Sequence, residues 1–196
     1  MKIEIDARGL NCPMPVINTK KELDKIESGL VITTVDNAIA KENILKLANS
    51  LNCEAKVIKE EKDLISIEIK KGENVIIEKN ENIALEDKCI FIPSDRMGEG
   101  NEELGKVLIK GFIYTLTESK PYPKHIILVN GGVKLSTENE ATVENLKILE
   151  EAGVEILSCG TCLDYYGLKE KLQVGSITNM YTIVEIMKNS LQTISI

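Results

Sequence analysis

The chain has little of what fibrous, disordered or membrane-spanning proteins need. It contains 13 glycines and 5 prolines among 196 residues, and charged residues make up 28%, a composition typical of globular chains. No stretch approaches the roughly 20 apolar residues that a membrane-spanning helix requires, and no basic segment leading into an apolar run marks a secretory leader. We therefore expect a globular protein that stays in the cytoplasm and does not enter a membrane.

Cysteine and histidine are also scarce. The chain has one histidine, His125, and no second Cys-x-x-Cys pair, so a four-ligand zinc site is not predicted, and we expect no metal and no bound cofactor. An odd number of cysteines cannot all pair and is too sparse for a disulfide-stapled secreted domain, which favours a reducing compartment. The five cysteines are Cys12, Cys53, Cys89, Cys159 and Cys162. Cys53 follows an apolar helix pattern and Cys89 opens an apolar strand, so both are predicted to lie in cores.

An overall basic charge is absent as well. The net charge is −7, and the excess of acidic residues lies after residue 72. Because nucleic-acid-binding proteins usually present a basic face, we expect no nucleic acid as a partner. Lys20, Lys21 and Lys25 are predicted to form one solvated helix face that is available for partner docking.

Periodicity divides the chain into two α/β domains. Residues 1–72 show the order β-α-β-α-β-β, which predicts a two-layer sandwich of two helices on a four-stranded sheet. Its last two strands, Ala55 to Ile58 and Leu64 to Ile69, are predicted to pair as a hairpin across residues 60–63. Residues 73–88 lose periodicity and are predicted to be a linker or an ordered strap.

Residues 89–196 alternate short apolar runs with helical patterns, which indicates βαβ units. The predicted fold is a three-layer α/β/α domain with a mostly parallel sheet. The predicted strands begin at Cys89, Ile126, Val154 and Thr193. The predicted helices are Asn101 to Glu118, Ala141 to Glu151, Leu163 to Leu172 and Tyr181 to Leu191.

The first candidate site is Cys12, which lies where strand periodicity changes to helix periodicity. Pro13 and Pro15 are predicted at the first and third helical positions, where a missing N–H costs nothing. The remaining amides of the first turn and the helix dipole would favour negative charge on Cys12 and so a reactive thiolate. The helix face is predicted from Val16, Leu23, Ile26 and Leu30.

This segment closely resembles the signature of the TusA (SirA-like) sulfur-carrier family. The residues that carry the resemblance are Asp6-Ala7-Arg8-Gly9-Leu10, then Cys12-Pro13-Met14-Pro15, and then Thr19-Lys20-Lys21. In that family the cysteine of the Cys-Pro-x-Pro motif carries a persulfide, so the resemblance implies that Cys12 accepts sulfur. It also implies the two-layer fold, and we regard Arg8 as a weaker binding candidate.

The second candidate site gathers three loops that follow strands of the second domain. Ligands of open α/β sheets bind beyond the carboxyl ends of the strands, where residues 94–100, 130–132 and 158–162 should meet. Their glycines allow close backbone approach, although ordinary strand-to-helix turns use the same residues. The weak binding candidates are Gly98, Gly100, Gly131, Gly132 and Gly160.

Within the last loop, a strand should deliver Cys159 and a helix should begin at Cys162, which brings the two thiols within reach of each other. Disulfide exchange as in thioredoxin-like proteins and a merely structural pair remain alternatives for these residues. Residues 159–168 and the surrounding α/β pattern resemble the cysteine region of DsrE-like proteins, which pass persulfide sulfur on a cysteine of this loop. By its position relative to Gly167 the resemblance assigns the sulfur to Cys159, with Cys162 as a neighbour.

A TusA-like domain followed by a DsrE-like domain resembles the YedF proteins, a sulfurtransferase-like family associated with selenium metabolism. The leading hypothesis is a carrier and relay of persulfide sulfur, or of its selenium analogue, that uses Cys12 and then Cys159; whether the chain acts as an enzyme is open. The alternatives are a dithiol oxidoreductase at Cys159 and Cys162, or a non-catalytic binding or regulatory module. The implied partners are a persulfide donor of the cysteine desulfurase class, a downstream acceptor, and further copies of the chain bound through the second domain.

Overall fold

The computed structural model describes residues 1–72 and 85–196, and the chain divides into two compact units, Met1–Lys79 and Asn80–Ile196. Most of the segment predicted as a linker or strap, residues 73–84, lies outside the described residues. Residues 85–88, which were predicted to belong to it, instead form the start of a strand in the second unit.

The first unit confirms the predicted order of β-α-β-α-β-β. Its elements are β1 (Lys2–Asp6), α1 (Met14–Lys25), β2 (Gly29–Val35), α2 (Ala38–Ser50), β3 (Glu54–Glu61) and β4 (Leu64–Lys71). The sheet has the order β1-β2-β4-β3, in which β1 and β2 are parallel and the other pairs are antiparallel. The turn between β3 and β4 is shorter than the predicted turn over residues 60–63, because β3 continues to Glu61 and only Lys62 and Asp63 connect the two strands. Asp63 adopts a left-handed conformation with φ 61°.

One face of this sheet carries the core because inward and outward side chains alternate along the central strands. Val31 and Val35 of β2 and Ile67 and Ile69 of β4 are fully buried with residues of the two helices. The edge strand β3 is exposed along its whole length, and its many charged residues protect the open edge from pairing with other chains. Helix α1 ends at Lys25, so Leu30 belongs to β2 and not to the predicted helix face.

The second unit is an α/β/α domain with five parallel strands. Its elements are β5 (Leu85–Ile92), α3 (Glu102–Glu118), β6 (Tyr122–Leu128), a 3₁₀ segment (Asn130–Ser136), α4 (Glu140–Glu151), β7 (Glu155–Cys159), α5 (Gly160–Tyr166), a 3₁₀ turn (Lys169–Lys171), β8 (Ser176–Thr178), α6 (Met180–Asn189) and β9 (Gln192–Ser195). The strand order is β8-β7-β6-β5-β9, and every pair is parallel.

Two apolar clusters, one on each face of this sheet, confirm the three-layer architecture. The larger includes Ile109 and Ile113 of α3 and Leu146 of α4, whereas the smaller joins Cys159 to Ile183 of α6. Asn101, Asn139 and Asn179 cap the amino ends of α3, α4 and α6, since each side chain accepts an N–H of the first turn.

Three details of the second unit differ from the sequence prediction. The helix predicted from Leu163 to Leu172 begins earlier, at Gly160, and ends at Tyr166, because Gly167 adopts a left-handed conformation there. The short edge strand β8 was not predicted. The loop predicted at residues 130–132 is the beginning of a 3₁₀ segment. Within residues 1–72 and 85–196, no helix is both long and apolar enough to cross a membrane.

Candidate functional site

Cys12 is an exposed thiol that lies just before α1. It lines a pocket of about 270 Å³ between the start of α1 and the start of α2. The side-chain amide of Asn43 lies 3.9 Å from Cys12 Sγ, a long contact to a weak acceptor. The other lining residues are Leu10, Asn11, Pro15, Val16, Asn37, Ile39 and Ala40, so the wall combines apolar side chains with amides.

The start of α1 differs from the prediction. Pro13 precedes the helix as its N-cap residue, and Pro15 is the second helical residue. The N–H of Met14 donates to the carbonyl of Asn11 at 2.9 Å, and the next available amide bonds to the Pro13 carbonyl. These amides of the first turn are therefore bonded to main-chain carbonyls, contrary to the expectation that they favour negative charge on Cys12, and the amide that contacts the thiol is that of the Asn43 side chain.

The loop before Cys12 is held by two carboxylates. Asp6 pairs with the Arg8 guanidinium, with contacts of 2.9 and 2.6 Å, and accepts the Arg8 N–H; these hydrogen bonds lower the pKa of Asp6 to about 2. Asp36 accepts the Gly9 N–H at 2.6 Å, and this bond holds the pKa of Asp36 below its usual value. Arg8, a predicted binding candidate, therefore positions the loop through Asp6 in this structure.

Helix α1 is fixed to the sheet beneath this pocket. The buried hydroxyl of Thr19 donates to the Pro15 carbonyl at 2.7 Å, and a 2.9 Å hydrogen bond joins it to the hydroxyl of Thr33 on β2. At the other end of the helix, the ammonium of Lys71 donates to the carbonyls of Leu23 and Ile26. These contacts hold the helix, and with it the first-turn wall of the pocket, against the sheet.

The second thiol site lies at the carboxyl end of β7. Cys159 ends the strand, is the N-cap residue of α5 and is 3% exposed, whereas Cys162 is the third residue of α5 and is partly exposed. The main-chain N–H of Asn130 donates to Cys162 Sγ at 3.0 Å. Burial and the neighbouring Cys159 thiol raise the pKa of Cys162, and the Asn130 N–H opposes that rise.

Asn130 is held in a conformation that aims its N–H at Cys162. It has φ 48°, in the left-handed region that asparagine tolerates better than most residues, and its side-chain oxygen accepts the hydroxyl of Tyr166 at 2.8 Å. The ammonium of Lys134 lies 5.1 Å from the centre of the Tyr166 ring and 3.8 Å from a carboxylate oxygen of Asp95. Sequence reasoning missed Lys134 and Tyr166; the only signal for Tyr166 is its position one residue before Gly167.

The structure brings together parts of all three predicted loops. Gly131 lies beside Asp95 with ordinary spacing, whereas a Cβ on Gly132 would stand 2.2 Å from the Ile92 carbonyl, so Gly132 permits a close backbone contact. A Cβ on Gly160 would stand 3.0 Å from the side chain of Ile177, a less severe contact than that at Gly132. Gly98 and Gly100 have open space around their Cα atoms and lie on the exposed outer part of their loop.

The remaining titratable candidates do not join either site. Cys89 is fully buried, and burial raises its pKa to about 11; Cys53 is 8% exposed, and burial raises its pKa as well. His125 lies in the middle of β6, its Nε2 is 3.2 Å from Glu155 at the amino end of β7, and burial lowers the pKa of His125. Throughout the described ranges, no group of three or more His, Cys, Asp or Glu residues has the arrangement of a metal site.

The fold and the two thiol sites define a two-domain α/β protein with one exposed cysteine in the first unit and a cysteine pair in the second. Two family models match these units: "Sulfurtransferase TusA" matches residues 3–71, and "DsrE/DsrF-like family" matches residues 119–196. The chain therefore belongs to the TusA family through its first domain, and residues 119–196 of its second domain are similar to the DsrE/DsrF-like family.

Individual relatives match parts of the chain. "Putative sulfur carrier protein YrkI" of Bacillus subtilis is 50% identical over 28 residues, which are 14% of this chain and 37% of that protein; the chain thus spans little more than a third of this curated relative. The SirA-like protein of Desulfitobacterium hafniense is 35% identical, with 37% of this chain and all of that chain covered and a TM-score of 0.35. The ychN protein of E. coli is 16% identical, with 56% and 98% covered and a TM-score of 0.43.

Proposed function

We propose that the protein is a sulfur carrier in which Cys12 accepts sulfur as a persulfide and passes it to the cysteine pair of the second domain. The observation that carries the proposal is the exposed Cys12 thiol at the mouth of its pocket, in a segment matched by the sulfurtransferase TusA model. A carrier needs a thiol that donor and acceptor proteins can both reach, and exposure provides that access.

The pocket suits this role because it offers two kinds of contact. Asn43 supplies an amide N–H toward the sulfur, and the exposed Ile39 supplies an apolar surface against which a donor protein can pack. We infer that the donor is a persulfide-forming protein of the cysteine desulfurase class, and that a downstream acceptor takes the sulfur that leaves the chain. Selenium, which has the same valence, would be carried as a selenopersulfide by the same attack.

Transfer to the second domain is thiol–disulfide exchange. A thiolate of the pair attacks the outer sulfur of the Cys12 persulfide, the bond between the two persulfide sulfurs breaks, and Cys12 leaves as a thiolate. The sequence resemblance assigns the receiving role to Cys159. Because both domains belong to one chain, each exchange partner is present at a raised effective concentration.

Self-association through the second domain belongs to the same proposal. Several large apolar side chains of that domain are exposed on α5, β8 and α6, and such a group is typical of a surface that another protein covers. They are Tyr165, Ile177, Met180, Tyr181 and Val184. Sedimentation of the full chain should give an oligomer, and a monomer at micromolar concentration would contradict this part.

Loading by a cysteine desulfurase and cysteine, followed by mass spectrometry of the peptides, tests the carrier role. We expect one added sulfur on the Cys12 peptide of the native chain and none on that peptide in Cys12→Ser. Cys53→Ser, which removes a buried thiol of the same domain, is the matched control and should load normally. Equal total loading of Cys12→Ser and the native chain would overturn the proposal.

A time course with radiolabelled sulfur tests the relay separately. Label should appear first on the Cys12 peptide and later on the peptide that contains Cys159 and Cys162, and Cys12→Ser should show neither. If the Cys12 label never moves, the relay is wrong and the carrier role remains.

A dithiol oxidoreductase is the second candidate, and the contact between Cys159 and Cys162 favours it. It predicts a reversible Cys159–Cys162 disulfide with a defined reduction potential and no uptake of sulfur by either thiol. Sulfur uptake by the pair would exclude it.

A further inference from the structure

The two thiol sites differ in whether a second cysteine lies beside the first, and this decides whether bound sulfur can be displaced within the site. Among the described residues that line the pocket of Cys12, no other cysteine is present, so a persulfide there has no neighbouring thiol to attack it. In the second domain Cys162 packs against the cluster that contains Cys159, and burial together with the Cys159 thiol raises the pKa of Cys162. The first site can hold sulfur, whereas the second site can also expel it.

The two cysteines of the pair are not equivalent in access. Cys159 is 3% exposed beneath α5, while Cys162 is partly exposed and its sulfur is also the acceptor of the Asn130 N–H. A donor can therefore reach Cys162 and not Cys159. The Asn130 N–H donates to this sulfur and opposes the rise in its pKa that burial and Cys159 cause.

We propose that Cys162 receives the sulfur and that Cys159 then displaces it, so that the second domain releases the sulfur as hydrosulfide. This proposal rests on the proposed function, since the sulfur is supplied there by Cys12. It reverses the order within the pair that the sequence resemblance suggests, because accessibility places the receiving thiol at Cys162.

The chemistry balances without a cofactor. Cys162 loses its proton and attacks the outer sulfur of a persulfide, and the former carrier thiol leaves with the proton. The Cys159 thiolate next attacks Sγ of Cys162, the bond from that Sγ to the outer sulfur breaks, and hydrosulfide leaves with the proton of Cys159. The zero-valent sulfur is reduced, and the two thiols are oxidised to a Cys159–Cys162 disulfide. An external dithiol must then reduce this disulfide before a second round.

The local backbone is suited to closing this disulfide. Cβ atoms three positions apart on a helix are about 5–6 Å from each other, and a disulfide needs about 3.5–4.5 Å. Cys159 is the N-cap residue, and its backbone is extended, with φ −63° and ψ 118°. Its Cα–Cβ bond therefore does not have the direction that a helical residue would have. We expect the disulfide to close through movement of the first turn of α5 and its N-cap, where both cysteines lie.

The test uses the full chain with Cys12→Ser, so that only the second domain can take up sulfur at an exposed thiol. The reduced protein is treated briefly with sodium polysulfide, desalted without reductant and followed by sulfide assay and peptide mass spectrometry. We expect one equivalent of hydrosulfide per chain together with a Cys159–Cys162 disulfide. Dithiothreitol should restore both thiols and permit a second equivalent.

Two further variants assign the roles. Cys12→Ser/Cys159→Ser should retain one extra sulfur on Cys162 and lose hydrosulfide release, whereas Cys12→Ser/Cys162→Ser should take up no sulfur. A stable persulfide on Cys159 in the second variant, or a persulfide in the parent that persists without disulfide formation, would overturn the proposal. Thermal unfolding of each variant checks that it is folded. The disulfide is mapped in the parent variant, Cys12→Ser, in which both cysteines of the pair are intact, so this result does not depend on the folding of the double variants. Because Cys12 is absent throughout, failure here leaves its carrier role untouched.

Discussion

The main-chain N–H of Gly9 donates a 2.6 Å hydrogen bond to Oδ2 of Asp36, although the two residues are 27 positions apart. The bond ties the loop before Cys12 to the segment that leads into α2, and residues from both segments line the pocket. The geometry of the carrier thiol thus depends on a carboxylate that is not itself part of the pocket.

Asp36→Ala should loosen this loop, because Gly9 then loses its acceptor. We expect faster hydrogen exchange of the Gly9 amide and slower loading of Cys12, with little change for amides of β4. Asp36→Asn keeps an acceptor oxygen and should behave close to the native chain. Unchanged Gly9 exchange in Asp36→Ala would contradict this role.

The same bond should depend on pH in a defined direction. The folded-state pKa of Asp36 is lowered, mainly by the Gly9 N–H. The stability that the ionised Asp36 adds to the folded loop is therefore fully present above the ordinary carboxyl pKa of about 3.9. The contribution is lost as the pH falls through the lowered pKa. Exchange protection of Gly9, measured from pH 6 downward by NMR and corrected for intrinsic rates, should therefore fall only in the acid range.

Lys71→Met should destabilise the first domain. Lys71 is 5% exposed, and its ammonium satisfies the Leu23 and Ile26 carbonyls at the end of α1. Its loss leaves buried acceptors unpaired and removes a favourable charge from the helix terminus, so urea denaturation should show a loss of about 2–3 kcal/mol. Lys70→Met, on the exposed face of the same strand, should change stability by less than about 0.5 kcal/mol. Equal effects would refute the capping role.

Gly132→Ala should damage the second domain, whereas Gly131→Ala should be tolerated. A Cβ on Gly132 would lie 2.2 Å from the Ile92 carbonyl, which is main chain and cannot rotate away; a Cβ on Gly131 would have no neighbour closer than 3.5 Å. We expect Gly132→Ala to cost about 2–3 kcal/mol in chemical denaturation and Gly131→Ala less than about 1 kcal/mol. Similar midpoints for the two variants would show that the contact is not restrictive.

Alkylation with iodoacetamide should rank the five thiols. Exposed Cys12 should react first and partly exposed Cys162 later, while Cys53, Cys89 and Cys159 should react only after unfolding. Because burial and Cys159 raise the pKa of Cys162, its rate should continue to rise above the pH at which an ordinary cysteine levels off. Peptide mapping over a pH series measures this, and a Cys162 rate that levels off by pH 8 would contradict the raised pKa.

Much of the fold could be predicted because its signals are local. The switch from strand to helix period around Cys12 and the Asn37 cap, which accepts the Ala40 N–H, depend on residues within a few positions of each other. Strand β8 escaped prediction because it has only three residues and they are not buried. The helix after Cys159 was misplaced at its amino end, where Gly160 packs against Ile177 of the unpredicted strand β8, and at its carboxyl end, where the left-handed Gly167 stops it.

The sequence by itself determined the two α/β domains and the places of Cys12 and of the pair Cys159 and Cys162, each where the chain passes from a strand to a helix. Those properties follow from hydrophobic period and from the backbone limits of proline and glycine, which act over a few residues. Only the tertiary structure decided which thiol is accessible and what faces it. The Asn130 N–H reaches Cys162 across 32 positions, and the Asp36 carboxylate reaches Gly9 across 27, because parallel strands bring distant loops to the same edge of a sheet. The accessibility of a thiol and its hydrogen-bond partners both depend on neighbours that are distant in sequence, so they are established only when the chain is folded.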